Sequence, residues 1–293
     1  MMKMVEQWWP DNFFALEKDF DDYEKAKVVI LRVPYGGTAS YGKGTEKGPD
    51  AMMKASQQVE LFDEELEKET YKIGIATLPS LEVFHEAEKS GENFEKIYLE
   101  GKKLLGDDKF IVMVGGEHSI SPGLIKAYKE KFNDLSVLQI DAHSDLRDEW
   151  ENNKFSHACA MKRVIDLGVN VVQVGIRSTS PEEQEDFGKN RENIFMAKDI
   201  QNKREWMDVV ARLTGNVFVT IDVDGLDPSI MPSTGTPEPG GLLWYDILSL
   251  LKEVAKERKV VGFDVVELAP VENLHAPDFL CAKLIYRLLG YVF

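Results

Sequence analysis

The sequence has little cysteine and no long hydrophobic run. Its 293 residues include two cysteines, Cys159 and Cys281, and these form no Cys-x-x-Cys pair. Two thiols are too few for a disulfide framework, so we expect both to be reduced. A stretch of about 18 apolar residues, the minimum for a membrane span, is absent. Glu6, Pro10 and Asp11 interrupt the N-terminal segment, which argues against a signal peptide and favours a cytoplasmic protein.

Basic residues are scarce relative to acidic ones. Lys and Arg total 35 against 51 Asp and Glu, which gives a formal net charge of −16 at pH 7. A protein that follows nucleic-acid phosphates needs a basic face, and so does one held at an anionic membrane. The charge therefore argues against both kinds of partner and favours a cationic small molecule as the ligand.

Short β-branched runs alternate with amphipathic helical segments along the whole chain. This pattern is typical of an α/β fold with a mostly parallel sheet covered by helices on both faces. No repeat or proline-rich linker divides the chain, so we predict a single domain over residues 1–293, with residues 1–27 as an extension that packs on it. The predicted strands are Val28–Val33, Lys72–Ala76, Phe110–Val114, Leu135–Ile140, Val171–Ile176, Ile194–Lys198, Asn216–Val223 and Val260–Val266.

Acidic and histidine side chains follow four of these strands at their carboxyl ends. Because ligands of parallel α/β sheets bind beyond the carboxyl ends of the strands, we expect these side chains to share one site. The four segments that follow the strands read GGEHS, DAHSD, DVDGLDP and ELAP.

The same segments supply a set of candidate metal ligands, which are His118, Asp141, His143, Asp145, Asp222 and Asp224. Alternating residues of an extended chain lie on one side of it, so Asp141, His143 and Asp145 should point together. Several carboxylates cannot all stay ionised in a partly dry cleft without cations, and two divalent ions would balance them. Oxygen-rich ligation with imidazoles and no thiolate suits Mn(II) better than Zn(II), with nickel or iron left open. A metal pair of this kind predicts metal-assisted hydrolysis.

Other features of the sequence have simpler explanations. Residues 37–44 almost match a phosphate-binding loop, but Gly44 stands where a hydroxyl should hold Mg(II), so we predict a glycine-rich surface loop. Cys159 is expected to pack inside a helix rather than to act as a nucleophile. The aromatic side chains near the N-terminus are expected to pack against the body of the protein or a neighbouring subunit; they are Trp8, Trp9, Phe13 and Phe14.

Taken in order, the motifs resemble the ureohydrolases, the family of arginases and agmatinases. The resemblance runs from about Val28 to the C-terminus. Within the family, the sequence resembles the short bacterial and archaeal agmatinases. It implies a three-layer α/β/α fold around an eight-stranded sheet, two Mn(II) ions per subunit, and a trimeric or hexameric homo-oligomer. The motifs that carry it are PYGGTASYGKGTEKGPDAM, GGEHS, DAHSD, SHACAMKR, DVDGLDPSIMPSTGTPEPGG and ELAP.

The resemblance also implies a role for each site residue. The family's ligands of one metal correspond to His118 and Asp145, and its ligands of the other metal correspond to His143 and Asp224. Its bridging carboxylates correspond to Asp141 and Asp222. His157 matches the proton-shuttling histidine of the family, and Glu267 matches the carboxylate that holds the substrate guanidinium. Catalysis would then rest on Asp145, His157 and Glu267, with urea and an amine as products.

Departures from the arginases narrow the implied substrate. The strand end GIRSTS has no Asp after Arg177, and the segment after DAHSD reads LRDEWENNKF, whereas arginases bind the amino-acid head group at both places. These differences favour agmatine, hydrolysed to putrescine and urea in polyamine biosynthesis. N1-Aminopropylagmatine is the alternative substrate, and arginine and guanidinobutyrate fit less well. A catalytically silent metal-binding relative and another metal hydrolase on a similar fold stay open.

Overall fold

An eight-stranded parallel sheet forms the centre of the protein. The computed structural model describes residues 10–203 and 206–293, so Trp8 and Trp9 lie outside the described residues. The strands are β1 Val28–Val33, β2 Ile75–Thr77, β3 Phe110–Gly115, β4 Leu135–Ile140, β5 Asn170–Ile176, β6 Ile194–Met196, β7 Asn216–Asp222 and β8 Lys259–Val266. They pair in parallel in the order β2-β1-β3-β8-β7-β4-β5-β6.

Helices cover both faces of this sheet, as predicted. Alternate residues of β1 enter different cores: Val28 and Ile30 pack in one, and Val29 and Leu31 pack in the other. The architecture is therefore three-layered, and the buried strands are apolar on both faces. No helix in the described ranges is both long and apolar enough to cross a membrane. The α-helices are α1 Gly48–Ser56, α2 Ser90–Gly106, α3 Ser121–Lys131, α4 Ala160–Asp166, α5 Gln184–Lys189, α6 Ala197–Lys203, α7 Trp206–Arg212, α8 Trp244–Glu257 and α9 Ala276–Val292.

The two edge strands differ most from the prediction. The strand predicted at Lys72–Ala76 lies at Ile75–Thr77 in the structure. It begins later because Thr70–Ile73 forms a 3-10 turn that ends at Gly74, where φ is +79°. The strand predicted at Ile194–Lys198 ends at Met196, where a helix takes over the chain. Both edge strands are three residues long and pair on one side only, so local turns decide where they begin and end.

The first described residues pack against the body of the protein. Phe13 and Phe14 are buried, and the ring of Phe14 lies 5.0 Å from that of Tyr286 on α9. The backbone N–H of Phe14 donates to Oγ of Ser56, and that of Phe13 donates to Oγ1 of Thr77. These contacts agree with a packed N-terminal extension, while the division of the chain into one domain of residues 1–293 stays a prediction.

A buried arginine ties α9 to the segment after α1, and its loss is expected to be costly. Arg287 is 1% exposed, and its Nε lies 2.6 Å from Oδ2 of Asp63, which is also buried. Replacing Arg287 with Met leaves the Asp63 carboxylate buried and unpaired, which should lower the free energy of unfolding by about 3–5 kcal/mol. Urea denaturation measures the change. Lys283→Met is the control, since its partner Glu64 is exposed and such a pair contributes about 1 kcal/mol or less.

A destabilisation by Arg287→Met as small as that of the control would contradict this role for the buried pair. The double variant Asp63→Asn, Arg287→Met should recover part of the loss, because it removes the unpaired charge as well.

Candidate active site

The four segments singled out in the sequence converge at one edge of the sheet. They follow β3, β8, β7 and β4, which are adjacent and central in the strand order. The strand ends are also level, since Val114 pairs with Val265, Asp222 with Val266, and Ile140 with Ile221 in neighbouring strands. All four carboxyl ends therefore deliver their side chains to the same small volume.

Two glycines in these segments permit the backbone to approach closely. A Cβ atom at Gly116 would lie 1.7 Å from the carbonyl oxygen of Tyr35, and one at Gly225 would lie 2.8 Å from the backbone nitrogen of Asp141. Neither position has room for a side chain. Gly116 thus lets the end of β3 approach the segment after β1, and Gly225 lets the end of β7 approach the end of β4.

Two overlapping groups of histidine and aspartate side chains form the site. Nδ1 of His118 lies 3.1 Å from Oδ2 of Asp141 and 3.0 Å from Oδ2 of Asp145. Nδ1 of His143 lies 2.9 Å from Oδ2 of Asp224 and 3.7 Å from Oδ1 of Asp141. Asp141 belongs to both groups, and the candidate ligand atoms of each group lie within 4.8 Å of one another. Each group can therefore hold a metal ion.

Asp222, the sixth candidate ligand, is placed beside the first group. Its Oδ2 lies 3.5 Å from Nδ1 of His118, and its Oδ1 accepts the backbone N–H of Asp224 at 2.9 Å. Asp222 belongs to neither tight group. Its assignment as a second bridging carboxylate stays a prediction.

The local conformation of the DAHSD segment differs from the extended chain expected. Strand β4 ends at Ile140, and Asp145 has φ of +52°, in the left-handed region. Asp141 bends the chain after the strand, since its Oδ1 accepts the backbone N–H of His143 at 2.6 Å. The three side chains converge as predicted, but through a turn rather than through strand periodicity.

The carboxylates of the site favour the protonated, positively charged form of its two histidines. Although burial disfavours a charged imidazole, Asp224 and Asp141 raise the pKa of His143 to about 12. Burial also opposes the charge of His118, yet the surrounding carboxylates raise its pKa well above the ordinary value. Burial and the charge of Asp141 raise the pKa of Asp145 to about 7. Divalent cations would replace these protons, which is the charge balance that the sequence predicts.

The hydrogen bonds of His118 orient it as a metal ligand. Its Nε2 lies 2.9 Å from Oγ1 of Thr220, whose hydroxyl donates to Oδ1 of Asp264 at 2.6 Å. Since the hydroxyl has one proton, Nε2 is the donor to Thr220. Nδ1 has no hydrogen-bond partner among the described residues and faces carboxylate oxygens. A proton or a metal cation must lie between them, so the donors fit an ion that prefers oxygen and imidazole.

His157 and Glu267 both line the cavity above these ligands. The cavity has a volume of about 220 Å³. Glu267 follows β8 with φ of +67°, and its Oε1 accepts the backbone N–H of His118 at 2.6 Å. Burial and the nearby charge of Glu117 raise the pKa of Glu267 well above its ordinary value. A buried carboxylate of this kind is stabilised by a cation in the cavity.

Several residues that line the cavity were missed from the sequence. The glycine-rich loop lies at the surface as predicted, but Ala39, Tyr41 and Gly42 also line the cavity. The remaining unpredicted residues include Arg147, Trp150, Thr179, Glu183 and Thr236. The loop belongs to the family motif PYGGTASYGKGTEKGPDAM, which indicated that the loop is a family feature but not that its residues line the cavity.

Cys159 is excluded as a nucleophile by its surroundings. It ends the 3-10 turn His157–Cys159 that precedes α4, and it is fully buried. Burial raises the pKa of its thiol to about 12, so the reactive thiolate does not form at neutral pH.

His157 should make the protein sensitive to acid. Burial and repulsion from His143 lower the pKa of His157 to about 4, below the value near 6.5 expected in the unfolded chain. Between these values the unfolded state binds a proton that the folded state does not, so stability falls as the pH falls from about 6.5 to 4. His157→Gln should therefore lose less stability between pH 7 and pH 5 than the wild type does.

Urea denaturation of chelator-treated protein at both pH values measures the difference. The control is His275→Gln, whose side chain is exposed. Equal acid losses in the wild type and His157→Gln would contradict the neutral state of this imidazole in the folded protein.

Comparison with known proteins agrees with the fold. The profile described as "Arginase family" matches residues 26–290. An N(1)-aminopropylagmatine ureohydrolase of Synechocystis is 37% identical over 294 residues, covering 96% of each chain. An agmatinase of Bacillus cereus is 36% identical, covering 94% of this chain and 95% of the relative. The crystal structure of an agmatine ureohydrolase of Thermoplasma volcanium superimposes with a TM-score of 0.87 at 29% identity, covering 98% of this chain and 95% of that one. The chain belongs to the arginase family.

Proposed function

We propose that the protein is a binuclear manganese hydrolase of a guanidino-amine, with agmatine as the substrate and putrescine and urea as the products. The observation that carries the proposal is the pair of overlapping His/Asp groups that share Asp141 and lie in a cavity with the buried carboxylate of Glu267. One metal would be held by His118 and Asp145, the other by His143 and Asp224.

A bound metal pair would supply hydroxide near neutral pH by lowering the pKa of water. The carboxylate of Glu267 would orient the substrate, because a guanidinium is a planar cation that can donate two parallel N–H bonds to one carboxylate. His157, which is neutral at pH 7, would take up a proton released by the attacking water and pass it to the leaving amine. Together these groups would place the guanidinium carbon for attack and release urea.

N1-Aminopropylagmatine is the alternative substrate. Relatives from Synechocystis and Thermus thermophilus, 37% and 38% identical to this chain, are named N(1)-aminopropylagmatine ureohydrolase, whereas relatives from Bacillus are named agmatinase. Both compounds carry the same guanidinium and differ in the length of the cationic tail. The chemistry proposed for the metal site is the same for both.

The complete site disfavours a catalytically silent relative. All eight residues expected from the sequence are present, and each lies in the site or in the cavity wall. A one-metal hydrolase would not need the second group around His143. We further propose a cytoplasmic homo-oligomer, a trimer or hexamer, that acts in polyamine biosynthesis. The family resemblance supports this assembly, and the charge of −16 favours a cationic substrate.

The decisive experiment measures urea release by Mn(II)-loaded protein. Agmatine, N1-aminopropylagmatine, arginine and guanidinobutyrate are assayed side by side, and bound metal is counted in the same samples. Preference for agmatine supports the proposal, and preference for the aminopropyl derivative selects the alternative. Urea from none of the four, with two metals bound, would overturn the proposed substrate class.

A further inference from the structure

A single threonine of the glycine-rich loop contacts His157 twice. The backbone N–H of His157 donates to Oγ1 of Thr38 at 3.1 Å, and Nδ1 of the imidazole lies 3.2 Å from the same oxygen. The hydroxyl of Ser156 is a more distant neighbour of Nδ1, at 3.4 Å. Thr38 is therefore the nearer of these two hydroxyl contacts to the ring.

The hydroxyl proton of Thr38 is already committed to a buried carboxylate. Oγ1 of Thr38 donates to Oε1 of Glu117 at 2.5 Å, and the backbone N–H of Thr38 donates to Oε2 at 2.7 Å. Ser119 also donates to Oε1 of Glu117, which is fully buried. Two bonds to one carboxylate fix both the position of Thr38 and the direction in which its hydroxyl points.

We propose that Thr38 is a positioning residue for His157, which holds the imidazole in the tautomer protonated at Nδ1 and leaves Nε2 as the nitrogen that exchanges a proton with the substrate. A hydroxyl that donates its only proton to Glu117 can only accept from the ring, so Nδ1 must be the donor. The inference rests on the proposed function, because it concerns the same proton transfer.

The tautomer matters because the ring is neutral. Burial lowers the pKa of His157 to about 4, so a single proton is shared between two nitrogens at neutral pH. A neutral imidazole with its proton on Nε2 has no free lone pair there, so it cannot take up the proton that it would pass to the leaving amine. The loop that resembles a phosphate-binding motif thus presents one hydroxyl to the imidazole.

The test compares Thr38→Val, which removes the hydroxyl at nearly constant shape, with Thr38→Ser, which keeps it. We expect Thr38→Val to lower kcat about 10- to 100-fold, as loss of an orienting partner does, with little change in KM. Thr38→Ser should retain kcat within about threefold of the wild type. Equal kcat values in Thr38→Val and the wild type would overturn the proposal.

A readout independent of turnover is the ¹⁵N NMR spectrum of the imidazoles in metal-free protein at pH 7, with His157→Gln used to assign the signals. The wild type and Thr38→Ser should show the Nδ1–H tautomer, and Thr38→Val should shift toward Nε2–H. Ser119→Ala, which removes another donor to Glu117 and leaves the two contacts between Thr38 and His157 in place, should keep the wild-type tautomer.

The outcomes separate this inference from the proposed function. An unchanged tautomer in folded Thr38→Val overturns the positioning role even if activity falls, because the loss is then structural. A tautomer shift in a protein whose wild type releases no urea supports the positioning role while the proposed function fails. A tautomer shift that is equally large in Ser119→Ala overturns the specific role of Thr38.

Discussion

His143→Ala is expected to lower kcat for the guanidino substrate at least about 10³-fold, equivalent to about 4 kcal/mol of transition-state stabilisation. His143 supplies the imidazole of the second group, with Nδ1 2.9 Å from Asp224, and no other histidine belongs to that group in the described chain. Removing it leaves Asp141 and Asp224 as neighbouring carboxylates without their nitrogen ligand. One of two bound Mn(II) ions should then be lost.

Metal analysis after dialysis, together with urea release, measures both effects in the same preparation. His275→Ala is the matched control, since it makes the same substitution at an exposed position at the start of α9. The control should keep two ions and full activity. A His143→Ala protein that retains the wild-type rate would eliminate the binuclear proposal, whereas one that keeps a single ion and no activity supports it.

Glu267→Gln is expected to lower kcat/KM about 10²- to 10³-fold while both metals stay bound. The carboxylate lies outside the two groups of candidate ligands, so its neutralisation should not release an ion. It does remove the charge that pairs with a guanidinium, and loss of one partner of a buried charged pair costs about 2–5 kcal/mol. The amide can still accept from the backbone N–H of His118, which preserves the local structure.

The control for this variant is Glu272→Gln, an exposed glutamate in the same loop. Steady-state kinetics over a range of substrate concentrations separates the effects on kcat and KM, and metal analysis verifies the ions. Wild-type efficiency in Glu267→Gln would remove this residue from the substrate site. Loss of metal would instead show that Glu267 is a ligand rather than a substrate-binding residue.

Much of the fold could be predicted from the sequence, because the strands of a parallel sheet are buried on both faces and consist of continuous apolar runs. The ends of β1 and β4 were predicted to the residue, and the central strands were placed within one or two residues. The edge strands were placed less well. Both are short, and their limits are set by the 3-10 turn that ends at Gly74 and by the helix that begins at Ala197.

The site was accessible for a related reason. Chemistry-bearing residues came directly after strands, and parallel strands all end at the same edge of the sheet. His118, Asp141 and Asp224 could therefore be proposed as metal ligands before any distance between them was known. The resemblance to a family added the role of His157 and Glu267, which neither residue could have shown by itself.

The sequence by itself determined the six inner strands, the residues that follow them, and the excess of carboxylates that calls for cations. Only the tertiary structure decided that β8 lies between β3 and β7, which brings Glu267 to the backbone of His118. It also decided that Thr38 contacts both Glu117 and His157, from 79 and 119 residues away along the chain. The physical reason is that periodicity shows which face of a strand is buried, whereas the order of the strands depends on how whole faces pack together.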